Sequence, residues 1–409
     1  MEHPLLLFAD RVKRSFDKKL SNVSVFLDLK KAFDTVNFTI LLAKLSHYGI
    51  NGVELKWFKN YLNRKQFVVA GEVISDIFSM LCGIPQGTVL GPLLFLIFVN
   101  DFAFATTLLS LLFADDCTLQ GEGADIPTLI SLVNSQLVVA EKWFSANLLT
   151  LNVKKSKYII FEYSPQASNT PLPPLTIGSN ILDRVGTGLQ ETSIRFLGVQ
   201  VDDQLLFKDH IALLKKKLSS GIFALACAKH NAPLTVRKCI YYSLFESYLR
   251  FGLLLFGCAG EKEMREIEIL QKKAIRHVAG AFYLAHTDPL FQSLGILKIA
   301  DLITLERAVL VHKYRHNKLP PAFSFNFLTL INPQEMTRRE DPECYAPPPI
   351  CHPSTSRSAT SKLIFSWNSI PHSTKLIGCY KAFKADLTSS FLLTYSEVCS
   401  KLKCRACGY

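Results

Sequence analysis

Three carboxylates carry the chemistry that this sequence invites. Asp115 and Asp116 stand side by side in LLSLLFADDCTLQ, and Asp28 closes the stretch NVSVFLD. Leu108, Leu109, Leu111, Leu112 and Phe113 precede the pair and predict a buried strand that turns back at Asp115–Asp116. A turn chosen for folding alone favours Asn-Gly or Asp-Gly, which take positive φ at little cost. Adjacent carboxylates at the tip of an apolar hairpin repel each other and lose water together, and a bound cation offsets that cost. A lone pair of this kind is more often an exposed acidic turn.

Asp28 gives the pair a counterpart. Val23, Val25 and Leu27 fall on one face of the predicted strand and Ser24, Phe26 and Asp28 on the other, so Asp28 is expected to end a buried strand. Two such sites suit two-metal phosphoryl transfer, where one ion activates a 3′-hydroxyl and the other steadies the departing pyrophosphate. Hard oxygen donors fit Mg2+, which keeps several waters and takes few protein ligands. Asp28 and Asp115 would be the shared ligands and Asp116 an auxiliary one. Two unrelated acidic strand ends are the plain alternative.

The elements that must hold these groups alternate between helix and strand. Phe8, Val12, Phe16 and Leu20 recur at helical spacing before the first strand. Val36, Ile40, Leu41 and Leu45 predict a helix that ends near Gly49, and residues 53–69 predict another. GIPQGTVLGPLLFLIFVND is a Gly/Pro loop running into an apolar helix, residues 126–147 read as a helix, and LNVKKSKYIIFEYS as a basic turn feeding a strand. Residues 164–180 read as a Pro/Ser-rich loop, and SIRFLGVQVDD as a strand ending in a turn. From 208 the pattern is helical, with Ile211, Leu214, Leu218, Ile222 and Leu225 in a stripe and helices over 236–256 and 261–280. Four segments follow: an α/β unit over 1–207, a helical region over 208–331, a linker over 332–361 and a small helical tail over 362–409.

Composition narrows the partners. The 409 residues suffice for two or three domains, and 49% hydrophobic with 20% charged residues is a globular balance. A formal charge of +12 favours a polyanionic partner, nucleic acid or an anionic membrane surface. MEHPLLLFADRVK lacks the pattern of a secretory signal, and the longest apolar run, VLGPLLFLIFV, is too short to span a bilayer. Eleven scattered cysteines fit a reducing compartment, so nucleus or cytoplasm is expected. Cys399, Cys404 and Cys407 have no fourth ligand and read as scattered thiols rather than a zinc site. Cys82 reads as a packing residue.

FLDLKKAFDTVN, GIPQGTVLGPLLFLIFVND, FADD, LNVKKSKYIIF and FLGV occur in the order and approximate spacing of successive motifs of a reverse transcriptase palm. The wording resembles non-LTR (LINE-type, jockey-like) retrotransposons. Group II intron maturases share the Ala-Asp-Asp core, whereas retroviral enzymes more often carry Met there. The resemblance implies a right-hand polymerase palm, an antiparallel sheet backed by helices, with a helical thumb over 208–331. WNSIP with a downstream FK resembles the tail of animal elements.

The same resemblance implies roles for individual residues. Asp28, Asp115 and Asp116 would be catalytic, with two Mg2+ ions that Mn2+ can replace. Phe33 would be the aromatic gate under the incoming sugar, or a core residue at a helix start, or both. Gly83, Pro85, Gln86 and Gly87 would form the loop beneath the nascent base pair and template; glycine lets backbone approach closely, and Gln86 offers a donor and an acceptor. Lys155 would steady or protonate the leaving pyrophosphate, with Lys154 and Lys157 as neighbours and a solvated basic turn as the other reading. Phe196, Leu197 and Gly198 would be the primer grip, with Arg195 adding a phosphate contact. Lys215, Lys216 and Lys217 are either duplex contacts or a solvated face. The implied partners are an RNA template, a DNA primer and dNTPs, and no membrane. Nothing before Asp28 matches the family's fingers blocks, so a truncated palm is expected, with a fingers region or an endonuclease supplied elsewhere. Such a chain is either a polymerase or a catalytically incomplete fragment that only binds nucleic acid.

Overall fold

Helix α1 (Glu2–Asp17) is followed by β1 (Ser21–Leu27), every residue of which is buried. β1 is central to a five-stranded sheet of order β11-β8-β1-β7-β6. Its neighbours are β7 (Asp116–Gly123) and β8 (Lys157–Phe161), both antiparallel. β6 (Leu109–Phe113) lies on one edge, antiparallel to β7, and β11 (Asp183–Val185) on the other, parallel to β8. The computed structural model describes residues 2–85, 87–163, 172–320, 343–346 and 359–395. It divides into two units, Lys18–Ile194 and Met1–Asp17 with Arg195–Tyr409.

In the first unit, Val23, Val25 and Leu27 join one core with side chains from three helices. These are Leu41 and Leu45 of α2 (Phe38–His47), Leu94, Phe95 and Phe98 of α4 (Leu90–Val99), and Ile130, Val133 and Leu137 of α5 (Ile126–Ala146). β-Branched residues suit the pleated centre, and the helical stripes cover that face. The α/β class holds.

Three local expectations need correction. The strand before the Asp pair is not buried: β6 is an edge strand, and its residues are half-buried or exposed. The helix expected over 53–69 stops at Leu62, as α3 (Gly52–Leu62). Beyond it β2 (Lys65–Gln66) pairs with β5 (Phe78–Ser79), and β3 (Val69–Ala70) with β4 (Val73–Ile74). Gln66-Phe67-Val68-Val69 prefers extended backbone, and Gly71 at φ 66° serves the turn. SIRFLGVQVDD is a hairpin, β12 (Ser193–Phe196) and β13 (Val199–Asp202), with β9 (Thr176–Ile177) and β10 (Asn180–Ile181) forming a small ribbon before it.

The second unit is largely helical. α6 (Lys208–Ala228) buries Ile211, Leu214, Leu218 and Leu225 of the expected stripe. α7 (Leu234–Tyr241) runs through a π-helical turn, Tyr242–Glu246, into α8 (Ser247–Arg250), and Gly252 in the left-handed region starts α9 (Leu253–Phe256). α10 (Glu261–Ala279), α11 (Asp288–Leu294) and α12 (Ile299–Arg315) follow. Of the tail, Ala359–Asn368 and Tyr380–Leu393 are helical, and Trp367 and Phe383 are fully buried. Gln86, most of the expected linker and Cys399, Cys404 and Cys407 lie outside the described residues.

Candidate active site

The ladder between β1 and β7 sets the site. Leu27 pairs with Cys117, so Asp28, which follows Leu27, and Asp116, which precedes Cys117, lie just past the last rung at the same end of the sheet. Asp116 pairs in turn with Phe113 across the β6–β7 hairpin, leaving Ala114–Asp115 as its two-residue tip. Ala114 takes φ 52°, a left-handed conformation that costs a residue with a Cβ free energy. The central strand and the hairpin thus bring the carboxylates predicted from distant stretches to one end.

Asp116 has its pKa raised above the ordinary carboxylate range, first by loss of water and then by the charges of Asp115 and Asp28. Among the described residues no lysine or arginine forms an ion pair with any of the three. Uncompensated negative charge on hard oxygen donors fits a divalent cation. Among the described residues no three acidic, histidine or cysteine side chains form a group that could hold a metal ion. A hydrated Mg2+ does not need three such ligands, because it keeps water in much of its shell.

Asp28 is held by a stretch whose role the sequence did not reveal. Its Oδ2 accepts from Asn152 Nδ2 at 2.8 Å, its carbonyl accepts the Asn152 N–H at 2.8 Å, and its own N–H donates to Ser156 Oγ at 3.1 Å. The visible signal was only the LN before the basic turn. Of the three lysines there, Lys157 is paired with Glu191, whereas Lys154 and Lys155 are exposed.

Phe33 and the Gly83–Pro85 segment also meet. Ile84 N–H donates to Phe33 O at 2.8 Å and Gly83 N–H to Val36 O at 2.9 Å. Phe33 is half-buried and stacks on Phe95 with ring centroids 4.5 Å apart. Gly87 has φ 79° and open space around it, and Cys82, expected in the core, is exposed.

Phe196, Leu197, Gly198 and Arg195 belong to the other unit. Leu197 and Gly198 form the β12–β13 turn at φ 45° and 88°, and a Cβ on Gly198 would sit 2.9 Å from the Phe251 ring. Lys215 pairs with Glu266 at 2.5 Å, and Lys217 lies 4.8 Å from the centroid of the Tyr248 ring.

Residues 1–201 match the family described as reverse transcriptase (RNA-dependent DNA polymerase). By similarity over residues 1–201, this chain carries a reverse transcriptase domain. It is 24% identical over 300 residues to the RNA-directed DNA polymerase from mobile element jockey of Drosophila melanogaster, covering 70% of this chain and 31% of that protein. The probable RNA-directed DNA polymerase from transposon BS of the same species is 24% identical over 314 residues, 72% of this chain and 33% of that protein. These relatives support the LINE type, and the chain spans about a third of the length of the curated relatives it matches. A solved telomerase from Candida tropicalis aligns with a TM-score of 0.35 and 14% identity, over 73% of this chain and 50% of its own. Reverse transcriptases generally use divalent metal ions.

Proposed function

We propose that this reverse transcriptase domain adds dNTPs to the 3′-hydroxyl of a DNA primer, directed by an RNA template. The observation that carries this reading is the register in which β1 ends where β7 begins, with Asp28 and Asp116 at one end of the sheet and Asp115 on the adjoining tip. Two Mg2+ ions, which Mn2+ can replace, would supply Lewis acidity to the attacking and departing oxygens. Asp28 and Asp115 would hold them and Asp116 would assist. Phe33, braced on Phe95, would bound the sugar of the incoming nucleotide. Gly83, Pro85, Gln86 and Gly87 would lie under the base pair. Lys155 Nζ would donate a proton to the pyrophosphate, because Lys157 is engaged by Glu191. Phe196, Leu197 and Gly198 would hold the primer end, and Arg195 and Lys217 its phosphates. A nuclear or cytoplasmic location suits such substrates.

A specific observation favours a second reading, in which this chain binds nucleic acid without catalysis. Phe67, Val69, Val73, Ile74 and Phe78 on the β2–β5 ribbons are each more than half exposed. Two-stranded ribbons are marginal alone, and an apolar patch of this kind marks a contact surface.

The test is extension of a labelled DNA primer on an RNA template with dNTPs and Mg2+. Template-directed extension supports the polymerase. Salt-dependent binding without extension supports the second reading. Loss of both binding and extension overturns the two together.

A further inference from the structure

We infer that Asn152 is a positioning residue for Asp28, fixing the carboxylate that would carry the metal ions. The inference rests on the proposed metal role of Asp28. Its basis is the donor geometry already given, Asn152 Nδ2 to Asp28 Oδ2 at 2.8 Å.

Asn152 does not need its side chain to build its own turn. Its carbonyl accepts the N–H of Lys155 at 3.0 Å, the N–H of Ser156 at 3.0 Å and the hydroxyl of Ser156 at 3.0 Å. Its N–H is taken by the Asp28 carbonyl, and the neighbouring Lys30 N–H donates to Thr150 O at 2.8 Å. The backbone alone therefore joins the end of β1 to residues 150–156. The side-chain amide is left to act on one oxygen of Asp28.

The choice of an amide has a chemical reason. A lysine or arginine here would also orient the carboxylate, but its charge would compete with a cation. Asn is a neutral donor, so it fixes Oδ2 and leaves the negative charge on Asp28 intact. Outer groups that hydrogen-bond a ligating carboxylate tune metal affinity in this way, by roughly 10–100-fold when removed. The same carbonyl bond sets Lys155 in register with Asp28, so a single residue locates both the carboxylate and the turn bearing that lysine.

The experiment is Mn2+ titration of the full chain, following free Mn2+ by electron paramagnetic resonance, for wild type, Asn152→Leu, Asn152→Ala, Asn152→Gln and Asp28→Asn. Thermal melts check that each variant folds, and Asn152→Ala is read if Asn152→Leu does not. Removing the amide should weaken Mn2+ binding about tenfold or more, and Asn152→Gln, which keeps an amide, should recover part of the loss. Where wild type extends primers, half-saturating Mg2+ should rise in Asn152→Ala while the rate at saturating Mg2+ recovers, which a general structural defect would not produce. Wild-type Mn2+ affinity in both amide-free variants, beside weakened binding in Asp28→Asn, overturns the role of Asn152. Unchanged binding in Asp28→Asn means that the metal-site reading itself has failed, and the role of Asn152 with it.

Discussion

The N–H of Ile84 donates to the carbonyl of Phe33 over 2.8 Å. This bond joins the segment after Asp28 to the Gly-Pro loop, two stretches far apart in the chain. Gly83 makes the approach possible, because it has φ 90° and its missing Cβ would lie 2.8 Å from the carbonyl oxygen of Asp34.

Gly83→Ala should therefore destabilise the chain by roughly 1–3 kcal/mol, from the left-handed backbone and the clash with a carbonyl that cannot yield cheaply. Thermal unfolding checks this. An unchanged midpoint would mean that the loop does not pack against Asp34.

Asp116 should cost stability while it helps to create the site. Its folded pKa is raised above the ordinary 3.8, so the folded state holds the proton more tightly, and stability falls as pH rises through the folded pKa. At pH 7 without divalent ions, Asp116→Asn should melt higher than wild type, by about 1–4 °C. Adding Mg2+ should narrow that gap. A lower melting point for the variant would contradict the repulsion described.

Phe33→Val should relax discrimination against ribonucleotides, since a smaller side chain leaves room for a 2′-hydroxyl. A pocket change of this size shifts selectivity by about 10–200-fold. Competing single-nucleotide incorporation of dNTP and rNTP measures it, and an unchanged ratio would reduce Phe33 to a partner of Phe95.

His210 gives the second unit a pH dependence. Burial, with a smaller contribution from Lys217, holds its pKa at about 4 against an ordinary 6.5. Between those values the unfolded chain takes up a proton that the folded chain refuses, so stability falls as pH drops from 6.5 toward 4. The group contributes at most about 1.4 kcal/mol per pH unit. His210→Gln should flatten the curve of unfolding free energy over this window, and an identical slope would show that His210 protonates freely in the fold.

The site was legible in the sequence where its signals were local. Alternating Val23, Val25 and Leu27 before Asp28, and an acidic pair after an apolar run, mark strand ends without knowledge of the rest of the chain. The ribbons at 65–79 were hidden because the helical stripe of α3 runs into Phe67-Val68-Val69 with no proline between. The edge position of β6 follows from strand order, which no local pattern encodes. Asn152 was invisible for the same reason: its side chain acts on Asp28 only once β8 is laid beside β1. Lys157 could be separated from Lys154 and Lys155 only through Glu191, a distant residue whose carboxylate holds it.

We propose that Asp28 and Asp115 act in one metal-dependent site. The direct measurement is the single-turnover rate of dNTP incorporation on an RNA template, for wild type, Asp28→Asn and Asp115→Asn, with primer–template affinity measured in parallel. Each substitution should lower the rate by more than about 10²-fold, the scale of removing one preorganised electrostatic group, with binding changed little. Incorporation at the wild-type rate in either variant would contradict the account.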